Sequence, residues 1–339
     1  MKADWVLAST LGALGAAQAM PASTCFRLDA PQAREVFLAG EMTGWDAGKL
    51  PLQRGADGAW QRCLPLAAGQ WVYKFVVDGQ WMADPTAEGD DDGRGGRHSY
   101  VFVGEGEWTV PAGAPRGRLE EHRVPSRAWG QPQRVQVYLP PGWQRGQALP
   151  VLWLLHGRGM SPDQWSRTGR IADYLDGLQA RGEISPMVVV MPSSGEVFYT
   201  DVSQQHIAEE LPPWLLAHYG LGPGRAQTAL AGMSMGGSGA LQLLIDRPQQ
   251  YGFAYSLSGA FRGVLAQVRT LKALPAPLVL RTGREDHVTP SNRELFRLLS
   301  QRGITVDYLE QAGGHSWHYW SGQIGDMLRA VDRRVRAAP

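Results

Sequence analysis

TALAGMSMGGSGALQLLI, residues 228–245, is the stretch on which the fold turns. Its first part, led in by Ala226 and Gln227, is a near-continuous apolar run that suits a strand covered on both faces. Its second part carries apolar residues at helical spacing. Between them stands Gly232-Met233-Ser234-Met235-Gly236, which puts a serine on a tight strand-to-helix turn. Such a turn needs a strained backbone at the serine and residues without bulk two positions to either side. With 42 glycines in 339 residues the pentapeptide alone says little. Its place between a buried strand and a helix carries the weight.

Outward from this turn the same alternation continues. RVQVYLP, PVLWLLHG, MVVVMP and PLVLRTG read as buried parallel strands. IADYLDGLQARG, HIAEELPPWLLAHYG and GSGALQLLIDRP read as the helices between them. Alternating strands and helices over roughly 220 residues predict a doubly wound α/β domain. No internal repeat is present.

A serine hydroxyl is a weak nucleophile until a base accepts its proton, and the base needs an orienting carboxylate. PLVLRTG runs into Arg284-Glu285-Asp286-His287, which makes Asp286 the candidate acid with Glu285 as its rival. The next strand, TVDYLEQ, runs into Gly313-Gly314-His315. His315 is therefore the candidate base, ahead of His287 and His318, because it directly follows the small residues at the strand end. An oxyanion needs preorganised amide donors. Met235, at the helix start, and Arg158, in the loop LLHGRGM, are the candidates, while His156 in that loop is read as a structural hydrogen-bonding residue. Tyr199, Trp165 and Trp317 are the candidate lining of an acyl pocket. No His or Cys spacing suggests a metal, no Gly-rich loop suggests a phosphate or dinucleotide, and no cofactor is expected.

From Cys25 to about Val103 the pattern is different: CFRLDAP, EVFLAGEMTGW, GAWQRCLPL, WVYKFVVDG and HSYVFVG are short runs broken by turn residues. They predict a small all-β, immunoglobulin-like sandwich over residues 20–106. EGDDDGRGGR, residues 88–97, is expected to be an exposed loop, and residues 107–118 a Pro/Gly-rich linker to an α/β domain at 119–336. Trp45 and Trp81 lie in polar, Gly-rich company where a ring can stack on a sugar, or equally fill a core.

The chain's 33 basic and 32 acidic residues nearly cancel, with no block of like charge. Nucleic acid and anionic membrane are thereby disfavoured as partners. Residues 1–19 resemble a secretory signal, with Lys2, an apolar stretch and Ala17-Gln18-Ala19, so export to the periplasm or medium is expected. No segment is long and apolar enough to read as a membrane span. Cys25 and Cys63, the two cysteines of the chain, invite a disulfide in an exported protein. Oligomeric state is not legible.

PVLWLLHGRG, LAGMSMGGSGAL, SLSGAF and GGHSWHYW resemble the esterase family that includes esterase D, enterochelin esterases, the feruloyl and acetyl-xylan esterases of carbohydrate esterase family 1, and the mycolyltransferases. The likeness spans about residues 119–335 and implies an α/β-hydrolase fold. It also implies cofactor-free acyl transfer by Ser234, Asp286 and His315, with Arg158 and Met235 as oxyanion donors. VFLAGEMTGWDAGKLPL followed by GQWVYKFVVDGQWMADP is similar to the glycogen-binding module of the AMP-activated kinase β subunit and to carbohydrate-binding module family 48. That likeness implies Trp45 and Trp81 stacking on glucose rings with Lys74 adding a hydrogen bond, although His98-Ser99 stands where that family often has an Asn. A hydrolase freeing feruloyl or acetyl groups from a polysaccharide or oligosaccharide is the leading expectation. The alternatives are a siderophore esterase of the enterochelin type, an acyltransferase, and a binding protein with a relic hydrolase domain.

Overall fold

The computed structural model describes residues 23–91, 96–195 and 197–336. The expected leader, residues 1–19, lies outside the described residues. Two β structures follow one another along the chain. In the first, a three-stranded antiparallel sheet (Ser23–Leu28, Trp60–Pro65, Gln53–Arg54) faces a larger one ordered Leu50–Pro51, Val36–Gly40, Gly69–Val77, Arg97–Val103, Gly89–Asp91, with Gln80–Met82 also pairing Gly69–Val77. Phe26, Leu28, Val36, Leu38, Trp60, Tyr73 and Phe75 close the sandwich from the inner faces. Cys25 lies opposite Cys63 in the antiparallel pair and is bonded to it. Residues 88–97, expected as loop, contribute the short strand Gly89–Asp91 at the sheet edge, because backbone pairing with Arg97–Val103 needs no apolar side chain.

The second structure is an eight-stranded sheet. Its parallel part runs Val188–Pro192, Val151–Leu155, Thr228–Met233, Phe253–Leu257, Leu278–Gly283, Asp307–Gln311, and the antiparallel strands Gln133–Leu139 and Arg118–Val124 complete the edge beside Val188–Pro192. The central parallel strands are buried along their whole length, which is why they read as unbroken apolar runs. Helices such as Ile171–Ala180, Leu211–Tyr219, Met235–Asp246 and Ile324–Arg336 cover the two faces. RVQVYLP, expected to be parallel, pairs antiparallel with both its neighbours, and two further strands escape the sequence pattern. Arg118–Val124, RLEEHRV, is an edge strand with charged side chains, and its first residue falls within the expected linker. Phe253–Leu257 is the strand beside the serine strand and is not among the predicted runs.

The remainder of the expected linker is fastened down. Arg181 donates to the carbonyls of Glu107 and Thr109, Glu107 pairs with Arg329, and the Trp108 ring packs on Phe102 and Tyr174. Val72 and Tyr100 of the sandwich join the same buried cluster as Trp165, Trp317 and Trp320 of the α/β domain. One continuous core therefore crosses from one β structure to the other.

Candidate active site

Ser234 ends the strand Thr228–Met233 and starts the helix Met235–Asp246 at φ 53° and ψ −116°. A non-glycine residue in such a region costs about 1–3 kcal/mol and persists only where its surroundings enforce it. They do so by close approach. A Cβ on Gly236 would stand 2.2 Å from the Leu155 carbonyl oxygen, and one on Gly232 2.5 Å from Gly236 backbone. Backbone bonds complete the clamp: the Ser234 amide donates to Leu257 O at 2.8 Å, and the Ala260 amide to Ser234 O at 3.0 Å.

His315 lies after the last strand with its Nε2 2.9 Å from Ser234 Oγ. Its Nδ1 is 3.0 and 2.9 Å from the two carboxylate oxygens of Asp286. Nδ1–H thus donates to the carboxylate, and Nε2 is left to accept the serine proton. Burial pushes the Asp286 carboxyl up. The hydrogen bond and charge of His315, the Val288 amide and the Ser258 hydroxyl outweigh burial and hold it below the ordinary carboxylate range. Glu285, the rival acid, instead accepts from the Gly313 amide at 2.6 Å and braces the loop that carries His315. Of the rival imidazoles, His287 is exposed beside Asp286, and His318 turns to the sandwich. Hydroxyl, imidazole and carboxylate in this order are able to move one proton off the serine and return it to a leaving group.

Ser258, which sequence reasoning did not single out, sits at φ 46° and accepts from Trp320 Nε1 at 3.1 Å while bonding Asp286. The Trp320 ring in turn stands edge-on to His315 at 4.8 Å. The available signal was the run of small residues Ser258–Ala260, placed like the serine turn at a strand end.

Met235 opens the helix beside Ser234, and Arg158 lies in the loop after Val151–Leu155, whose Gly157 is held close to Ser234. His156 supports that loop. The Ser194 amide donates to its Nε2 at 2.9 Å, so the proton is on Nδ1, which donates to Gly157 O at 2.8 Å. Burial lowers its pKa to about 4, against the opposing Gly157 bond, so the ring is neutral at physiological pH.

A cleft of about 770 Å³ opens over His315. Arg158, Gly159, Met160, Gln164, Ser316, Trp317 and Trp320 form one wall, and Glu41, Trp45, Val72, Lys74, Trp81, His98 and Tyr100 of the sandwich form the other. Trp45, Lys74 and Trp81, expected to bind glycan, therefore share one cavity with His315 and Arg158. Trp45 and Trp81 lie 6.4 Å apart, Trp81 is 46% exposed, and the His98 ring packs on Trp45 at 4.8 Å.

Two expected pocket residues are not there. Trp165 is fully buried and donates to Leu155 O at 3.0 Å, while Tyr199 is buried with its hydroxyl on His156 O at 3.2 Å. Both rings back the loop between His156 and Met160 from below rather than face a substrate. Of the three, Trp317 lines the cleft, held by its Nε1 on Gln164 at 2.8 Å.

Both β structures have recognisable relatives. Residues 126–268 match the protein family described as "Putative esterase", and residues 23–109 match the glycogen recognition site of AMP-activated protein kinase. The chain is 32% identical over 314 aligned residues to a diacylglycerol acyltransferase/mycolyltransferase of Mycobacterium bovis, covering 70% of this chain and 88% of that protein. It is 26% identical over 265 residues to an endo-1,4-beta-xylanase/feruloyl esterase of Xylanibacter ruminicola, covering 69% of this chain but 34% of that longer protein. Among solved structures, the enterobactin esterase of Shigella flexneri superposes with a TM-score of 0.70 at 18% identity over 91% of this chain and 93% of its own. A ferulic acid esterase superposes at 0.61 and 22% identity over 66% of this chain and 99% of its own. The chain belongs to this esterase family, with a module of the glycogen-recognition type ahead of its esterase domain.

Proposed function

We propose that the chain is an exported serine carboxylic-ester hydrolase that frees feruloyl or acetyl groups from a polysaccharide or oligosaccharide. Ser234 Oγ attacks the ester carbonyl as His315 Nε2 takes its proton, and Asp286 stabilises the imidazolium. The amides of Met235 and Arg158 hold the oxyanion. Collapse of the tetrahedral intermediate expels the sugar alcohol, which receives the proton from His315. Water, deprotonated by the same nitrogen, then releases the acid and restores Ser234. The observation that carries the carbohydrate part is the single cleft joining His315 to Trp45, Lys74 and Trp81, which lets one molecule reach both walls. The resemblance of residues 1–19 to a secretory signal and the Cys25–Cys63 bond support export.

A fluorophosphonate probe tests the chemistry: the wild type labels and Ser234→Ala does not, with esterase turnover falling by about 10⁶-fold. Labelling of the Ser234→Ala protein would remove Ser234 from the role. A panel of feruloylated and acetylated oligosaccharides, methyl ferulate and ferric enterobactin tests the substrate. Release of ferulate or acetate from the carbohydrate esters is expected to exceed hydrolysis of the siderophore. The opposite ranking favours the siderophore reading, which the two-module superposition on the enterobactin esterase keeps in view. Acyl-sugar formation with an added sugar acceptor would indicate transfer instead.

A further inference from the structure

The helix Trp317–Ser321 begins two residues after His315 and packs on the sandwich strand Gly69–Val77. One sandwich carboxylate joins the two. Glu41 Oε2 accepts from the Val72 amide at 2.9 Å, its Oε1 accepts from the His318 amide at 3.2 Å, and it also bonds the Ser316 hydroxyl. Nearby, His318 Nδ1 donates to Gln70 O at 2.7 Å while its ring lies on Trp71 at 4.1 Å, and Gln70 Nε2 donates to Thr168 O at 2.7 Å. The residue immediately after His315, and the one two further on, are therefore tied to a different β structure from the one that carries Ser234.

We propose that Glu41 is a positioning residue for His315: by holding Ser316 and His318 it fixes the imidazole between Ser234 and Asp286, so that acyl transfer depends on the sandwich being docked. The argument rests on His315 acting as the base. A carboxylate in this setting is costly. Burial raises its pKa against the lowering effect of the Ser316, Val72 and His318 bonds, so its retention at the wall of the cleft needs a use. Charge-assisted bonds to backbone amides are shorter and stronger than neutral ones, which suits holding a loop. Near-attack geometry is sensitive at the ångström level, so a small drift of the ring is enough to slow the reaction.

The test compares wild type, Glu41→Ala, Glu41→Gln and Ser316→Ala on 4-nitrophenyl acetate, which is too small to span the cleft, and on a feruloylated oligosaccharide. For Glu41→Ala, kcat on the acetate is expected to fall by about 10²-fold, with KM within about two-fold and the fluorophosphonate labelling rate falling in parallel. Glu41→Gln keeps one acceptor and falls in between, and Ser316→Ala shows a smaller loss of kcat. Wild-type kcat on the acetate in Glu41→Ala, or a loss confined to KM for the oligosaccharide, overturns the proposal. Should Glu41→Ala fail to fold by circular dichroism, Ser316→Ala decides, and an unchanged kcat there is equally fatal. Failure of the serine mechanism is distinguishable, because it shows as activity remaining in Ser234→Ala.

Discussion

Ser234 and His315 stand 2.9 Å apart, yet they are held in unlike ways. The serine is fixed by backbone. Its strained torsions, the close approach at Gly232 and Gly236, and its amide and carbonyl bonds to Leu257 and Ala260 all lie within the α/β domain. The imidazole is fixed by side chains and loops: Asp286 in front, Trp320 edge-on, Glu285 on Gly313, and Glu41 reaching over from the sandwich. A backbone clamp depends on a few consecutive residues, whereas a side-chain clamp gathers partners far apart in the chain. The nucleophile's geometry should therefore survive most single substitutions outside its turn. The base's geometry should not.

The sharpest way to break the side-chain clamp is Asp286→Asn. The amide turns an N–H toward Nδ1 or presents only its oxygen, and the tautomer with a free Nε2 loses its charged partner. A fall in kcat of about 10⁴-fold with little change in KM is expected. Ser258 and Val288 still hold the side chain in place, so thermal stability should change far less than activity. A loss below ten-fold would mean that Glu285 or another group orients the ring.

The same contrast explains what was legible in the sequence. The serine turn could be read because its requirements sit within Gly232–Gly236, Asp286 because it follows the apolar run PLVLRTG, and His315 because it follows the small residues after the next strand. Glu41 could not be found this way, since strand alternation tells which side of Val36–Gly40 is buried but not which distant helix meets its end. Trp165 and Tyr199 were misplaced for a related reason. An aromatic residue next to an active loop can face the substrate or support the loop from below, and composition does not separate the two. RLEEHRV was not recognised as a strand because a charged edge strand lacks the apolar face that marks an inner one.

The sandwich wall offers a milder way to sharpen the comparison, because its tryptophans touch the cleft and not the clamp. Trp45 holds φ 65° directly after Gly44 at 66°, a left-handed pair that is rare for a bulky residue and presents its ring beside Trp81. Replacing both rings by Ala is expected to raise KM on a feruloylated oligosaccharide on the order of ten-fold, as ring contacts of about 1 kcal/mol imply. Turnover of 4-nitrophenyl acetate should be unaltered. An equal loss on both substrates would move these tryptophans from substrate wall to structural prop.

His156 acts on stability rather than on turnover, and it tests whether the loop proposed to hold the oxyanion belongs with the backbone-held side. The folded ring has a pKa of about 4, below the ordinary 6.5, so between those pH values the unfolded chain binds a proton that the folded one refuses. Stability conferred by the neutral ring is complete above pH 6.5 and is lost as pH falls toward 4, by at most about 1.4 kcal/mol per pH unit and roughly 3 kcal/mol in all. Urea midpoints of wild type and His156→Gln, followed from pH 7 to pH 4.5, should differ in slope by up to one proton, with the variant less sensitive to acid. Comparing slopes removes the constant penalty of replacing a buried ring. Parallel slopes would show that proton uptake at His156 does not drive the acid response, and that the loop over the oxyanion yields by another route.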